Sequence, residues 1–165
     1  MKNYFQGTAE HPYHISVGAI VKNEEGKICC HYFNSLKMRG IVFENFHLLM
    51  RESIEPFEPI ETCLHRGLME EFGMTAKLKT YVGSILSNYE VADTGIFIQK
   101  NTIYFLCDFV SIDESKRKEG DIEAQSKITW LLPDELIAKQ KEEGKRFKRE
   151  DLDESAVIEN ALKYF

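Results

Sequence analysis

The sequence predicts an α/β protein. Three observations carry that prediction. Short segments rich in β-branched and aromatic residues alternate along the chain with segments of helical periodicity. One of the latter, residues 59–72, carries a continuous apolar stripe between Pro59 and Gly73. The length, 165 residues, suits one domain with a sizeable core, so residues 1–165 are read as a single domain with about 1–13 as an N-terminal extension.

Taken in order, residues 14–21 are β-branched and apolar, and Asn23-Glu24-Glu25-Gly26 is turn chemistry leading into residues 27–33. The two segments read as a hairpin. Gly18 within the first strand marks either a close backbone approach or a plain strand glycine. A variable loop is expected over 34–40, then an apolar segment over 41–50. In the helix of residues 59–72, Ile60, Cys63, Leu64, Gly67, Leu68 and Glu71 recur at helical spacing. At about 100° per residue they project into one sector of roughly 140°, a core-facing stripe. Residues 78–86 and 102–110 are strands, with 88–100 a loop or hairpin arm between them. The charge run of residues 115–121 reads as a solvated loop. Residues 127–132 form a strand, and Pro133 opens a helix to about residue 143 with Asp134 and Glu135 in its first turn. Asp153 caps a final amphipathic helix carrying Ala156, Val157, Ala161 and Leu162.

Composition narrows the function classes. A net charge of −6 argues against general nucleic-acid binding, which requires a basic surface. Four cysteines, Cys29, Cys30, Cys63 and Cys107, lack CxxC spacing and read as buried free thiols of a reducing, cytoplasmic compartment. Cys29 and Cys30 would point to opposite faces of their strand. Neither a signal peptide nor an apolar run of membrane-spanning length is visible, so no membrane partner is expected. Self-association into a homodimer stays open.

The apolar stripe of the helix ends in a carboxylate, Glu71, with Glu70 at its edge. Acids at the margin of an apolar face are costly unless a cation or hydrogen-bond donors meet them. Two adjacent ones suit a hard divalent cation, which takes oxygen ligands. The plainer alternative pairs Glu70 with Arg66 one turn earlier and leaves Glu71 solvated.

Residues 52–74, ESIEPFEPIETCLHRGLMEEFGM, resemble the signature of the Nudix hydrolases: Gly, five residues, Glu, seven residues, then Arg-Glu-apolar-any-Glu-Glu-any-Gly-apolar. Glu58, Arg66, Leu68, Glu70, Glu71, Gly73 and Met74 fall at the required spacings. Two letters depart: Glu52 stands where the first Gly belongs, and Gly67 where the first Glu of the helix belongs. The box is therefore degenerate. Glu123, Trp130 and Pro133-Asp134-Glu135-Leu136 also resemble the later part of such chains, so the likeness runs from about His14 to Phe165.

With the alternation of strand and helix signals, the resemblance implies a Nudix-like α/β/α sandwich around a mixed, curved sheet, and it implies cleavage of a diphosphate linkage in a small nucleoside diphosphate derivative, with Mg2+ or Mn2+. By position Glu70 and Glu71 would be metal ligands and catalytic groups. Glu58, Arg66 and Gly73 would be structural residues of the box, with Glu58 supporting the helix or reaching the ion through water. The glycine-rich turn expected before the helix reads Met50-Arg51-Glu52, where Arg51 and Glu52 are candidates for contact with substrate. The acid missing at Gly67 is the most serious departure, and Glu123, then Glu52, are the candidate substitutes. Two functional classes follow: a weakened or specialised hydrolase of a small phosphorylated molecule, or a non-catalytic Nudix-like module that binds a nucleotide or a protein. With only the helix acid lacking, Gly67→Glu is expected to raise hydrolysis.

Overall fold

A computed structural model describes residues 12–38, 40–91 and 94–165, so most of the expected N-terminal extension lies outside the described residues. Among the described residues seven strands form one mixed sheet: β1 (Tyr13–Lys22), β2 (Ile28–Met38), β3 (Ile41–Leu48), β4 (Met50–Ser53), β5 (Met74–Val91), β6 (Ile96–Ile112) and β7 (Lys127–Leu131). The central path runs β3-β2-β1-β6-β5, with β4 on β1 and β7 on β2. Only β1 and β6 are parallel. Three helices complete the described fold: α1 (Ile60–Phe72), α2 (Pro133–Arg146) and α3 (Ser155–Ala161). No helix among the described residues is long and apolar enough to cross a membrane.

Alternation along β1 and β2 sorts the core into two layers, as a period of two requires. Val17, Ala19, Val21 and Cys29 pack with Cys63, Leu64, Leu68 and Phe72 of α1. Ile20, Ile28 and Cys30 face the other way, onto Leu136 of α2 and Val157, Ile158 and Ala161 of α3. Helices thus cover both faces, the predicted sandwich. Cys29 and Cys30 lie in opposite layers, and all four cysteines are buried free thiols.

Four local expectations change. The β1–β2 hairpin keeps one pair, Lys22↔Ile28. β3 and β4, parted by Leu49, pair successively with β2 and β1 and so wedge it open. The expected loop at 34–40 is instead strand as far as Met38, because Leu36 is buried while Asn34, Ser35 and Lys37 face water. The turn expected at residues 50–52 is strand β4, paired from Ala19↔Met50 to Ser16↔Ser53. In α3 the apolar face is Val157, Ile158 and Ala161, with Ala156 exposed.

α1 begins at its cap Pro59 and ends at Gly73, whose φ of 62° closes the helix in the left-handed region. A Cβ there would also strike the Asp113 carbonyl oxygen, so glycine is required twice over. No basic residue lies in the last turn of α1. The charge run supplies what is missing: Arg117 Nε donates to Glu71 O at 2.7 Å and the Lys118 amide to Glu70 O at 2.8 Å.

Candidate active site

At the C-terminal half of α1 a cavity of about 280 Å³ opens between the helix, β4 and the 115–125 loop. Its wall carries Glu52, Glu55, Glu70, Glu71, Asp121 and Glu123, six carboxyl groups, against two basic ones, Arg66 and Lys118; Arg51 borders it as well, with its guanidinium turned away to Glu154. The structure therefore brings Glu52, Glu70, Glu71 and Glu123 to one place, and leaves the Arg51 side chain out of it.

Arg66 is the brace of this wall. Its Nε and Nη2 bind Glu58 in a fork, each at 2.8 Å, and Nη2 also donates to Ser53 O at 2.8 Å. Hydrogen bonds from Arg66 hold the Glu58 carboxyl down at about 2. Nη1 lies 3.2 Å from Glu52 and 3.9 Å from Glu70. Glu70 is shared with Lys118 Nζ at 3.1 Å, so it is half-buried and neutralised within the wall.

Glu71 is only 7% exposed, and its Oε2 lies 2.7 Å from His31 Nε2. Burial, reinforced by the nearby Glu52 charge, pushes its carboxyl up to about 8. Burial likewise pushes His31 down to about 3. The surrounding bonds order the protons. Ser126 Oγ donates to Glu123 O at 2.7 Å and accepts from Arg117 Nη2 at 2.9 Å, so its contact at 2.7 Å with His31 Nδ1 is accepted from the ring. A neutral His31 with its proton on Nδ1 leaves Nε2 as the acceptor, and Glu71 is then the protonated donor. Glu123, on a 3-10 turn (Ile122–Gln125), is also raised, by burial first and by Glu71 second.

Opposite Glu52 on β4, the side chain of Arg51 points to the other face, where its Nε lies 3.6 Å from Glu154. Glu154 is fully buried. Its Oε2 accepts from Leu49 N at 2.8 Å and Gln140 Nε2 at 3.0 Å, and its Oε1 from the Tyr104 hydroxyl. The Leu49 amide, left without a ladder partner at the bend between β3 and β4, is satisfied in this way. Gly18 makes room for it: a Cβ at Gly18 would sit 2.4 Å from the Tyr104 ring.

An α1 acid site on a mixed sheet between helices is what the signature implies, and the NUDIX domain family profile matches residues 12–151. The chain belongs to the Nudix family. Solved structures with the same fold include a NUDIX hydrolase from Nitrosomonas europaea, 17% identical, with 90% of this chain and 85% of that chain covered at a TM-score of 0.58. The E. coli ORF135 protein is 18% identical, covering 94% and 93% at 0.56. A MutT protein from Methanosarcina mazei Go1 is 20% identical, covering 85% and 96% at 0.52. No curated protein matches the sequence significantly.

Nudix hydrolases generally use divalent metals, and the donor set of the cavity suits one: oxygen ligands only, with more acids than bases. Among the described residues no three His, Cys, Asp or Glu side chains are gathered as a ready cage, because the acids are turned to Arg66, Lys118 and His31. Sequence reasoning overlooked His31, Arg117 and Lys118. His31 had a legible signal, since it shares the α1-facing side of β2 with Cys29. The two cations were hidden in a run that resembles solvated loop. His65 projects to the surface, whereas His47 is buried, with its Nδ1 2.7 Å from Glu143.

Proposed function

We propose that this Nudix protein is a Mg2+- or Mn2+-dependent hydrolase of a diphosphate linkage in a small nucleoside diphosphate derivative, weakened or specialised in its activity and working in the cytoplasm. The observation that carries the reading is the cavity in which Glu70, Glu71 and Glu123 share a wall with a surplus of carboxyl groups. Glu70 and Glu71 would hold the ion. When bound, it would draw charge from phosphate oxygens and acidify a nearby water. Glu123, whose proton affinity is raised by burial, would take the proton from that water. Lys118 would meet phosphate oxygens, with Glu52 bordering the substrate, whereas Arg51, expected there from the sequence, turns its side chain to Glu154 on the other face. Glu58, Arg66 and Gly73 would keep the frame.

The test is a panel of nucleotide sugars, ADP-ribose, dinucleotides and nucleoside triphosphates, assayed with Mg2+ and Mn2+ and with chelator. One class should be cleaved at the diphosphate in a metal-dependent way, with loss of turnover in Glu71→Gln. Binding without turnover across the panel would replace this reading by a nucleotide-binding or protein-interaction module, which the missing acid at Gly67 favours.

A further inference from the structure

The two departures from the signature are the same two letters in opposite order, and they touch. A Cβ built at Gly67 would lie 2.5 Å from Glu52 Cβ, 3.1 Å from Glu52 Cγ and 2.8 Å from Met50 Sδ. Residues 52 and 67 thus exclude one another: a side chain at either position fills the space above the other. A glutamate at 52 requires glycine at 67. This also corrects the expectation for Gly67→Glu as a single change, which would drive the new side chain into β4.

We propose that residues 52 and 67 have exchanged roles, so that Glu52 delivers from β4, across the gap left by Gly67, the cation-binding carboxylate that the signature carries on its helix. The proposal rests on the hydrolase reading above. Glu52 shares the cavity wall with Glu70, Glu71 and Glu123. Its Oε1 takes both contacts that fix it, from Ser53 N at 2.8 Å and from Arg66 Nη1 at 3.2 Å. Neutralising Arg66 does not account for it, because Glu58 already binds that guanidinium in a fork. Glu52 and Glu71 line the one cavity from strand and helix, and a cation between them would take an oxygen from each. The exchange also keeps the number of site acids unchanged while moving one from helix to strand.

Mn2+ affinity by calorimetry and the thermal midpoint in chelator, measured on the full chain, decide the matter. Glu52→Gln should keep its midpoint within about 3 °C and weaken Mn2+ binding by about 10- to 100-fold. The reciprocal exchange, Glu52→Gly with Gly67→Glu, should regain affinity to within about fivefold of wild type, on the scale of ligand-shell effects. Should Gly67→Glu alone fail to fold, Gly67→Ala serves, since it adds the same Cβ. Its midpoint should fall, and adding Glu52→Gly should raise it again. Unchanged Mn2+ affinity in Glu52→Gln, alongside loss in Glu71→Gln, would overturn the proposal and leave the hydrolase reading intact. So would a Gly67→Ala defect that Glu52→Gly does not relieve. Wild type that neither binds Mn2+ nor hydrolyses the panel would overturn the hydrolase reading and this proposal with it.

Discussion

Replacing Glu154 by Gln, a change of one atom, tests the carboxylate from which β4 hangs. Oε2 of Glu154 accepts from Leu49 N and Gln140 Nε2, while Oε1 accepts from Tyr104 and forms an ion pair with Arg51. An amide offers one acceptor, so its NH2 is turned either against Leu49 N and Gln140 Nε2 or against Tyr104 and the Arg51 guanidinium. The Tyr104 hydroxyl can turn and accept, which favours the orientation that strands Arg51. Removing one partner of a buried ion pair costs about 3–5 kcal/mol. At about 2.1 cal/mol/K per residue, 165 residues unfold with an entropy of about 0.35 kcal/mol/K, so the midpoint should fall by about 9–14 °C. Scanning calorimetry and urea unfolding at neutral pH measure this. Tyr104→Phe should cost about 1.5–3 kcal/mol, the worth of one bond to a charged group, and the double variant should cost less than the sum. A Glu154→Gln protein within about 1 kcal/mol of wild type would refute the reasoning, since a satisfied hub cannot lose two acceptor sites at so small a cost.

Gly18→Ala should lose about 1–3 kcal/mol in urea unfolding, because its methyl group meets the Tyr104 ring; Tyr104→Ala should abolish most of the difference between Gly and Ala at that position. Glu58 is held near 2 in the folded chain by hydrogen bonds from Arg66, below its ordinary 4.5. A depressed folded value gives stability that is present above about 4.5 and lost as pH falls toward 2, so Glu58→Gln should flatten the stability profile in that window; parallel profiles for the two proteins would contradict it. The four buried thiols, with Cys63 and Cys107 each pushed up to about 12 by burial, should react with a disulfide reagent only slowly in the native protein and completely in denaturant.

The fold was legible because its signals are local. Pro59, Gly73 and the stripe between them delimit α1 to within a residue, and the opposed faces of Cys29 and Cys30 follow from strand alternation alone. What escaped reading depends on distant partners. β4 looked like a turn because its pairing with β1 lies 33 residues away in sequence, as from Gly18 to Arg51. The charge run looked solvated because the acceptors of Arg117 and Lys118 are carbonyls at the end of α1, which no pattern in residues 115–121 reveals. The site acids were found one by one, but the contact between positions 52 and 67 required the third dimension. Each departure alone reads as decay of the signature; side by side they read as one compensated change.

The hub at Glu154 also orders events in time. Leu49, whose amide it receives, precedes it by 105 residues, and α3 follows it near the end of the chain. During synthesis the peptide that will form β3 and β4 leaves the ribosome well before its partner is made, at about 5–20 residues per second. Until then the Leu49 amide and the Arg51 guanidinium have no carboxylate to enclose them, and water must serve both. The wall that carries Glu52 should therefore gain these buried contacts only once residue 154 has been made, and a nascent chain stalled short of it should hold an unfinished pocket.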